Sequence, residues 1–205
     1  TLVSFVPDNT IFKNFHFIHE YVEKQIWYYV CLNPGLIISY NGHEHVSKRG
    51  LLDLLEREID DEVRYQPIHI KADDFEIAFT HGSHYQEEYY TFVNGQHTTM
   101  GGTHLSAFKE GIVKTIREFY NKDFDPSDIR ASIVAAISIR VQDPIFESQT
   151  KTKLGSQVMS PDGMAIRSYV IDFLKKHLDN FLHKNPLAAE SLLQRILESE
   201  KDRKD

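Results

Sequence analysis

The stretch SIVAAISIRVQDPIFESQTKTKLG, Ser132 to Gly155, decides how this chain is read. Its first ten residues, Ser132 to Val141, are apolar and rich in β-branched side chains with little polar interruption, as expected of a central strand. Behind it the loop FESQTKTKLG, Phe146 to Gly155, crowds lysines with hydroxyl and amide side chains at the strand's end. A lysine ammonium is a compact point charge suited to the terminal phosphate of a nucleotide, and neighbouring Gln and Thr donors add orientation. Gln149 and Lys151 are two apart, so in extended backbone both project to one side, and Thr150 and Thr152 to the other. A solvated basic loop on an acidic molecule explains the same composition, and spacing alone does not separate the two.

Working outward, the 205 residues are 41% hydrophobic and 26% charged, enough apolar mass for one large core or two small ones. Thirty acids against 23 bases give a formal charge of −7, which excludes a whole-surface attraction to nucleic acid or anionic lipid. The single cysteine, Cys31, offers neither a disulfide framework nor a zinc ligand set, so a reducing, cytoplasmic compartment is expected. No apolar run approaches membrane-spanning length and there is no signal peptide, so no membrane partner is expected. TLVSFVP reads as a strand from its first residue, without a leader or start methionine, as if cut from something longer.

The opening strand, Thr1 to Val6, ends in the turn Pro7-Asp8-Asn9. Helical spacing predicts a helix over Phe17 to Leu32, closed by Asn33-Pro34-Gly35. Leu36 to Tyr40 and His43 to Val46 form a hairpin through Asn41-Gly42, and Gly50 to Glu58 a second helix. Strands are expected at Ile68 to Ala72, Asp74 to His81 and Tyr89 to Val93. Asn94 to Gly102 is a glycine- and hydroxyl-rich connection. Thr103, as N-cap, opens an amphipathic helix to Tyr120. A short helical turn starts at Asp125-Pro126, a long amphipathic helix follows Pro161, and another runs from Pro186 into the charged tail. Helices and strands mix without a strict βαβ repeat: the fold class is α+β.

Other candidate chemistry is thin. His43 and His45 share a strand face and His81 and His84 flank a turn, but no HExxH or cysteine pair accompanies them, so they read as exposed turn histidines and no metal site is expected. TTMGGTH can be a phosphate-cradling loop at a helix N-terminus, or a tight strand-to-helix turn. Asp60-Asp61-Glu62 and Asp73-Asp74 read as solvated loop acids.

The order of FVNGQHTTMGGTHLSAFKEGIVKTI and DIRASIVAAISIRVQDPIFESQTKTKLGS resembles the B subunit of bacterial type IIA DNA topoisomerases, gyrase B and topoisomerase IV B. TLVSFVPD, IFKNFHF and the helix ending in LNPG continue the likeness over essentially the whole chain, and the wording around SDIRASIVAAISIRV and QTKTKLGS is closer to topoisomerase IV B. The resemblance implies that residues 1 to about 49 are the C-terminal piece of a GHKL ATPase domain. Residues 50 to about 185 are then a transducer with a fold similar to domain 2 of ribosomal protein S5, and 186 to 205 a helix leading to the DNA-cleavage region.

It further implies that the QTK loop enters the ATPase pocket, with Gln149 and Lys151 on the γ-phosphate, Lys151 as the catalytic group, and Thr1 near the adenine. ATP and Mg2+ would serve the full-length enzyme and none would bind the fragment. The implied partners are DNA, an A-type subunit carrying the cleavage tyrosine, and a second copy of the B subunit. The catalytic glutamate, magnesium-binding asparagine and lid would lie upstream of Thr1 and the metal-binding acids of cleavage downstream of Asp205, so the fragment alone is expected to be inactive. Thr99 and Met100 stand where relatives carry a basic residue facing transported DNA; Lys109, Lys114 and Arg117 on the next helix favour a duplex or simply form a solvated face. A non-enzymatic nucleic-acid- or ribosome-associated module with an S5-like fold is the competing reading. Against it stands the prefix, whose helix face at Tyr21, Val22 and Trp27 would lack its natural cover.

Overall fold

The computed structural model describes residues 1–60 and 62–205, so the acidic position Asp61 lies outside the described residues. Its centre is a five-stranded sheet of β3 (Ile68–Lys71), β4 (Phe75–His81), β5 (Glu88–Val93), β6 (Gln96–His97) and β7 (Ile133–Ile139), in spatial order β3-β4-β7-β5-β6. β7 is the middle strand, antiparallel to β4 and parallel to β5, as its unbroken apolar run predicts. Alternation along it feeds two cores. Ile133, Ala135, Ile137 and Ile139 join Phe75, Ile77 and Phe79 on one face, whereas Ala136 joins Ala78 and Phe92 on the other.

Helices cover both faces. Over the first lie α3 (Thr103–Tyr120), α5 (Ile166–Lys184) and α6 (Pro186–Lys204), which place Phe108, Ile112, Ile116, Val170, Leu174, Leu178 and Ile196 in the core. α3 and α5 approach closely at Gly111, where a Cβ would stand 2.7 Å from Leu174 Cδ1. Over the second face lie α1 (His19–Leu32) and α2 (Leu51–Glu58), with Tyr28, Val30, Leu51, Leu54 and Leu55 buried against the alanines of β4 and β7. The β1–β2 hairpin (Ile38–Tyr40, His43–His45) joins these two helices through Asn41 and Gly42, both at positive φ. Mixed strands with helices on both faces agree with the expected α+β class.

Two buried polar joints fix the layers. The Glu76 carboxylate, on β4, accepts from the Leu51 N–H at the start of α2 (3.0 Å) and from His69 (2.8 Å), placing negative charge at a helix N-terminus. On the opposite face, Asp128 of α4 (Pro126–Arg130) is buried and accepts from Ser199 (3.1 Å) and from Arg203 Nη2 (2.9 Å), tying α6 to the helix that leads into β7.

Several expectations are corrected. Thr1 to Val6 is not a strand: nothing among the described residues pairs with it, and Leu2, Val3, Phe5 and Val6 are exposed. The turn after it does form, with Thr10 N–H on Asp8 Oδ1 at 2.8 Å. The N-cap of α3 is Gly102, not Thr103, whose hydroxyl donates away from its own helix to Ser156 O. His45 and His81 are not exposed turn residues. His45 packs edge-on against Trp27, and His81 ends β4 inside the core between Tyr65 and Ile129. Trp27 itself is covered from within, under the Arg57 guanidinium at 3.9 Å, while Tyr21 stays exposed.

Candidate functional site

The lysine-bearing loop is a short ribbon. Phe146 and Leu154 bridge antiparallel, Glu147 N–H donates to Lys153 O (3.0 Å), and at its base Gly155 and Ser156 N–H both donate to Ile145 O (2.8 and 3.1 Å). Residues 148–152, SQTKT, form the tip. It turns back where Lys151 N–H donates to Ser148 O (3.0 Å), and Lys151 takes φ 56°. The extended alternation expected for Gln149 and Lys151 therefore does not occur: a left-handed residue breaks the two-residue period.

The return side of the ribbon is bonded a second time, to TTMGGTH. Met100 N–H donates to Thr152 O (2.9 Å), Leu154 N–H to Gly101 O (3.0 Å) and Thr103 N–H to Leu154 O (3.2 Å). Gly102, at φ 136°, lies so close that a Cβ would fall 2.4 Å from Leu154 O. TTMGGTH is thus a strand-to-helix turn in which the Met100 and Thr103 N–H groups are spent on the neighbouring ribbon and the Gly101 N–H on Thr98 O (2.9 Å). Leu154 plugs the core, and beneath the turn Thr98, Thr91 and buried His104 are linked, with Thr98 Oγ1 3.2 Å from His104 Nε2. Burial pushes the His104 imidazole down to about 4.

Lys151 is exposed at the tip and carries no ion pair among the described residues, whereas its neighbour Lys153 is paired with Glu147 at 3.1 Å. It lines a cleft of about 1090 Å³ between the end of α1, the β3–β4 turn and the β5–β6 turn. The cleft lining includes Tyr29, Asn33 and Pro34, the cations Lys71 and Arg140, and the acids Asp73, Asp74 and Glu76. The structure brings Lys151 to this cleft but not Gln149, which is exposed, nor Thr1, which lies in the exposed N-terminal segment. The cations of α3 are engaged: Lys109 with Glu87 (3.2 Å), Lys114 with Glu110 (2.6 Å) and Arg117 with Asp123 (3.0 Å). Thr99 and Met100 are exposed, Met100 against Thr152 of the ribbon.

Among the described residues no three His, Cys, Asp or Glu side chains are grouped to hold a metal ion, and no helix is long and apolar enough to cross a membrane. Sequence reasoning passed over Lys71 and Arg140, which are separated from Lys151 by 80 and 11 positions and meet it only through sheet topology.

The DNA gyrase B family matches residues 17–205, and the chain belongs to it, a B-subunit family of type IIA topoisomerases. Within that family the chain is 38% identical to the DNA topoisomerase 4 B subunit of Borreliella burgdorferi over 100% of its own length and 33% of the relative's. It is 28% identical to the DNA gyrase B subunit of Cytophaga hutchinsonii, over 96% of the chain and 45% of that relative. The chain thus spans less than half the length of these curated relatives. Among solved structures its fold matches the topoisomerase IV ATP-binding domain of Francisella tularensis in complex with a small-molecule inhibitor (TM-score 0.76, 21% identity, 97% of this chain and 57% of that one). It also matches the 43K ATPase domain of Thermus thermophilus gyrase B in complex with an aminocoumarin (TM-score 0.72, 24% identity, 97% and 57%).

Proposed function

We propose that this chain is the energy-transducing part of an ATP-dependent type IIA topoisomerase, in which Lys151 senses the γ-phosphate of bound ATP. The observation that carries the reading is the state of Lys151: an ammonium without an ion pair among the described residues, on a rigid ribbon, at a cleft where the α1 segment meets the sheet. Residues 1–49 belong in this reading to a GHKL ATPase domain, 50–185 to an S5-like transducer, and 186–205 to the helix leading towards the DNA-cleavage region.

A lysine placed so gains a charge-assisted contact while the third phosphate is present and loses its main partner after hydrolysis. The differential contact can tilt one body against another by roughly 1–3 kcal/mol, the usual size of such a coupling. Gln149 would join at the γ-phosphate and Thr1 near the adenine once the rest of the ATPase domain is present; Mg2+ would be held by that domain's side chains. DNA, an A-type subunit and a second copy of the B subunit are the partners, in the cytoplasm, and the 205 residues alone turn over no ATP.

The match of the DNA gyrase B family over residues 17–205 supports this reading over the competing non-enzymatic nucleic-acid- or ribosome-associated module. The test is ATP turnover by the intact B subunit carrying Lys151→Ala. Removing one preorganised contact to the transferring phosphoryl group should lower kcat by roughly 100- to 1000-fold with nucleotide binding largely kept. Unchanged turnover overturns the proposal.

A further inference from the structure

Lys151 can report on a phosphate only if its ribbon stands in one place, and the bonds that hold the ribbon converge on two residues outside its tip. Thr103 spends both of its donors on the return side: its N–H on Leu154 O (3.2 Å) and its hydroxyl on Ser156 O (2.7 Å). Ser156 is the node that closes the loop's base, because its hydroxyl accepts from Ile145 N–H at 2.7 Å while its own N–H returns to Ile145 O. Gly102 permits this approach, since any side chain there would collide with the Leu154 backbone. A hydroxyl in the first turn of a helix ordinarily serves that helix, yet this one donates to the ribbon instead.

The geometry points to Thr103 as a positioning residue for Lys151, with Gly102 and the Thr103 hydroxyl forming a seat that fixes the lysine tip relative to the cleft. The inference rests on the reading of Lys151 given above. Thr103 touches no substrate; it acts through Leu154 and Ser156, three and five residues beyond the lysine.

The experiment places Thr103→Val and Thr103→Ser in the intact B subunit, each with Lys151 present and with Lys151→Ala. With Lys151 present, Thr103→Val should lower kcat for ATP roughly five- to tenfold, the effect of one hydrogen bond, with KM changed less than about twofold. Thr103→Ser, which keeps the hydroxyl, should restore the parent rate. In the Lys151→Ala background Thr103→Val should add nothing, since a group that acts only through the lysine has nothing left to position. Equal losses in both backgrounds, or no loss in either, overturn the seat. Unchanged turnover on Lys151→Ala alone refutes the functional reading instead, and leaves the seat to a second measurement on the 205-residue chain. There Thr103→Ala should speed trypsin cleavage after Lys151 by roughly fivefold or more while cleavage after Lys184 stays the same, because a loosened loop opens locally. Equal rates at both sites in parent and variant overturn the seat whatever the kinetics.

Discussion

Acidification from about pH 7 towards pH 4 should remove stability from this fold through two buried histidines. His81 is enclosed on every side: its Nε2–H donates to Ile129 O (2.8 Å), its Nδ1 faces the Tyr65 hydroxyl (2.5 Å), and the Arg195 guanidinium opposes a second positive charge nearby. Burial foremost, then Arg195, pushes its pKa down from 6.5 to about 4; the Ile129 carbonyl offsets part of this. His104, beside Thr98 in α3, is pushed to about 4 by burial alone. A base whose folded pKa is depressed is neutral in the native state and charged in the unfolded one between those two values. The unfolded chain therefore binds more protons, and stability falls as pH drops from about 6.5 towards 4. Each histidine contributes a slope of up to about 1.4 kcal/mol per pH unit and a total on the order of 3 kcal/mol. Urea unfolding between about pH 6.5 and 5, where few carboxylates titrate, isolates the effect. His81→Gln should remove a large share of the slope and His81→Gln with His104→Gln most of it, leaving the smaller part due to His97, whose pKa burial also lowers. A slope in the double variant equal to the parent's would refute the argument.

Two further outcomes follow from the packing. Asp128→Asn removes the negative partner of Arg203 from a buried site; because Arg203 is partly exposed and can find water, the loss should be about 2 kcal/mol, read as a fall of about 4–8 °C in Tm. An unchanged Tm would mean that this pair adds nothing to the other contacts of α6, among them the buried Arg195 Nε–Ser132 Oγ bond (2.8 Å). Gly111→Ala adds about 1 kcal/mol of helix propensity but forces a methyl onto buried Leu174 and Ile171, so a net loss of about 1 kcal/mol is expected from urea unfolding, and a gain would show that Leu174 re-rotates.

Most of the architecture was legible because it is written in local periodicity. The apolar run from Ser132 to Val141 marks the central strand, and the helical spacing of Leu105, Phe108, Ile112 and Ile116 marks α3. The short strand β6 was hidden inside a segment read only as glycine- and hydroxyl-rich, although Asn94-Gly95 repeats the Asn41-Gly42 signal with the same pair of positive φ values. Thr1 to Val6 has a strand's composition and no partner, and composition cannot supply one. At the site, sequence could name Lys151 but not its direction, because one residue at φ 56° cancels alternation. Nor could it show which cations are neutralised. Glu87 reaches Lys109 from the far side of a strand and a turn, and even the nearby pairs Glu147 with Lys153 and Asp123 with Arg117 depend on how the chain folds back. The histidines show the same limit: turn-like sequence around His81 says nothing of the Tyr65 and Ile129 walls that enclose it.

β7 has one more consequence. It is bonded in register on both edges, to β4 from Phe75↔Ile139 to His81↔Ile133 and to β5 from Glu88↔Val134 to Val93↔Ile139. Sliding it by one position would drive isoleucines into the tight space that Ala136 leaves beneath α2, so the strand cannot creep along its own axis. The lysine ribbon begins a few residues past its end. Between the two, Arg140 N–H donates to Asp74 O (2.8 Å), Val141 N–H to Asn94 Oδ1 (2.9 Å) and Gln142 N–H to Met159 O (2.8 Å), so the ribbon's root is stitched to its surroundings on three sides, as a hinge leaf is screwed to its frame.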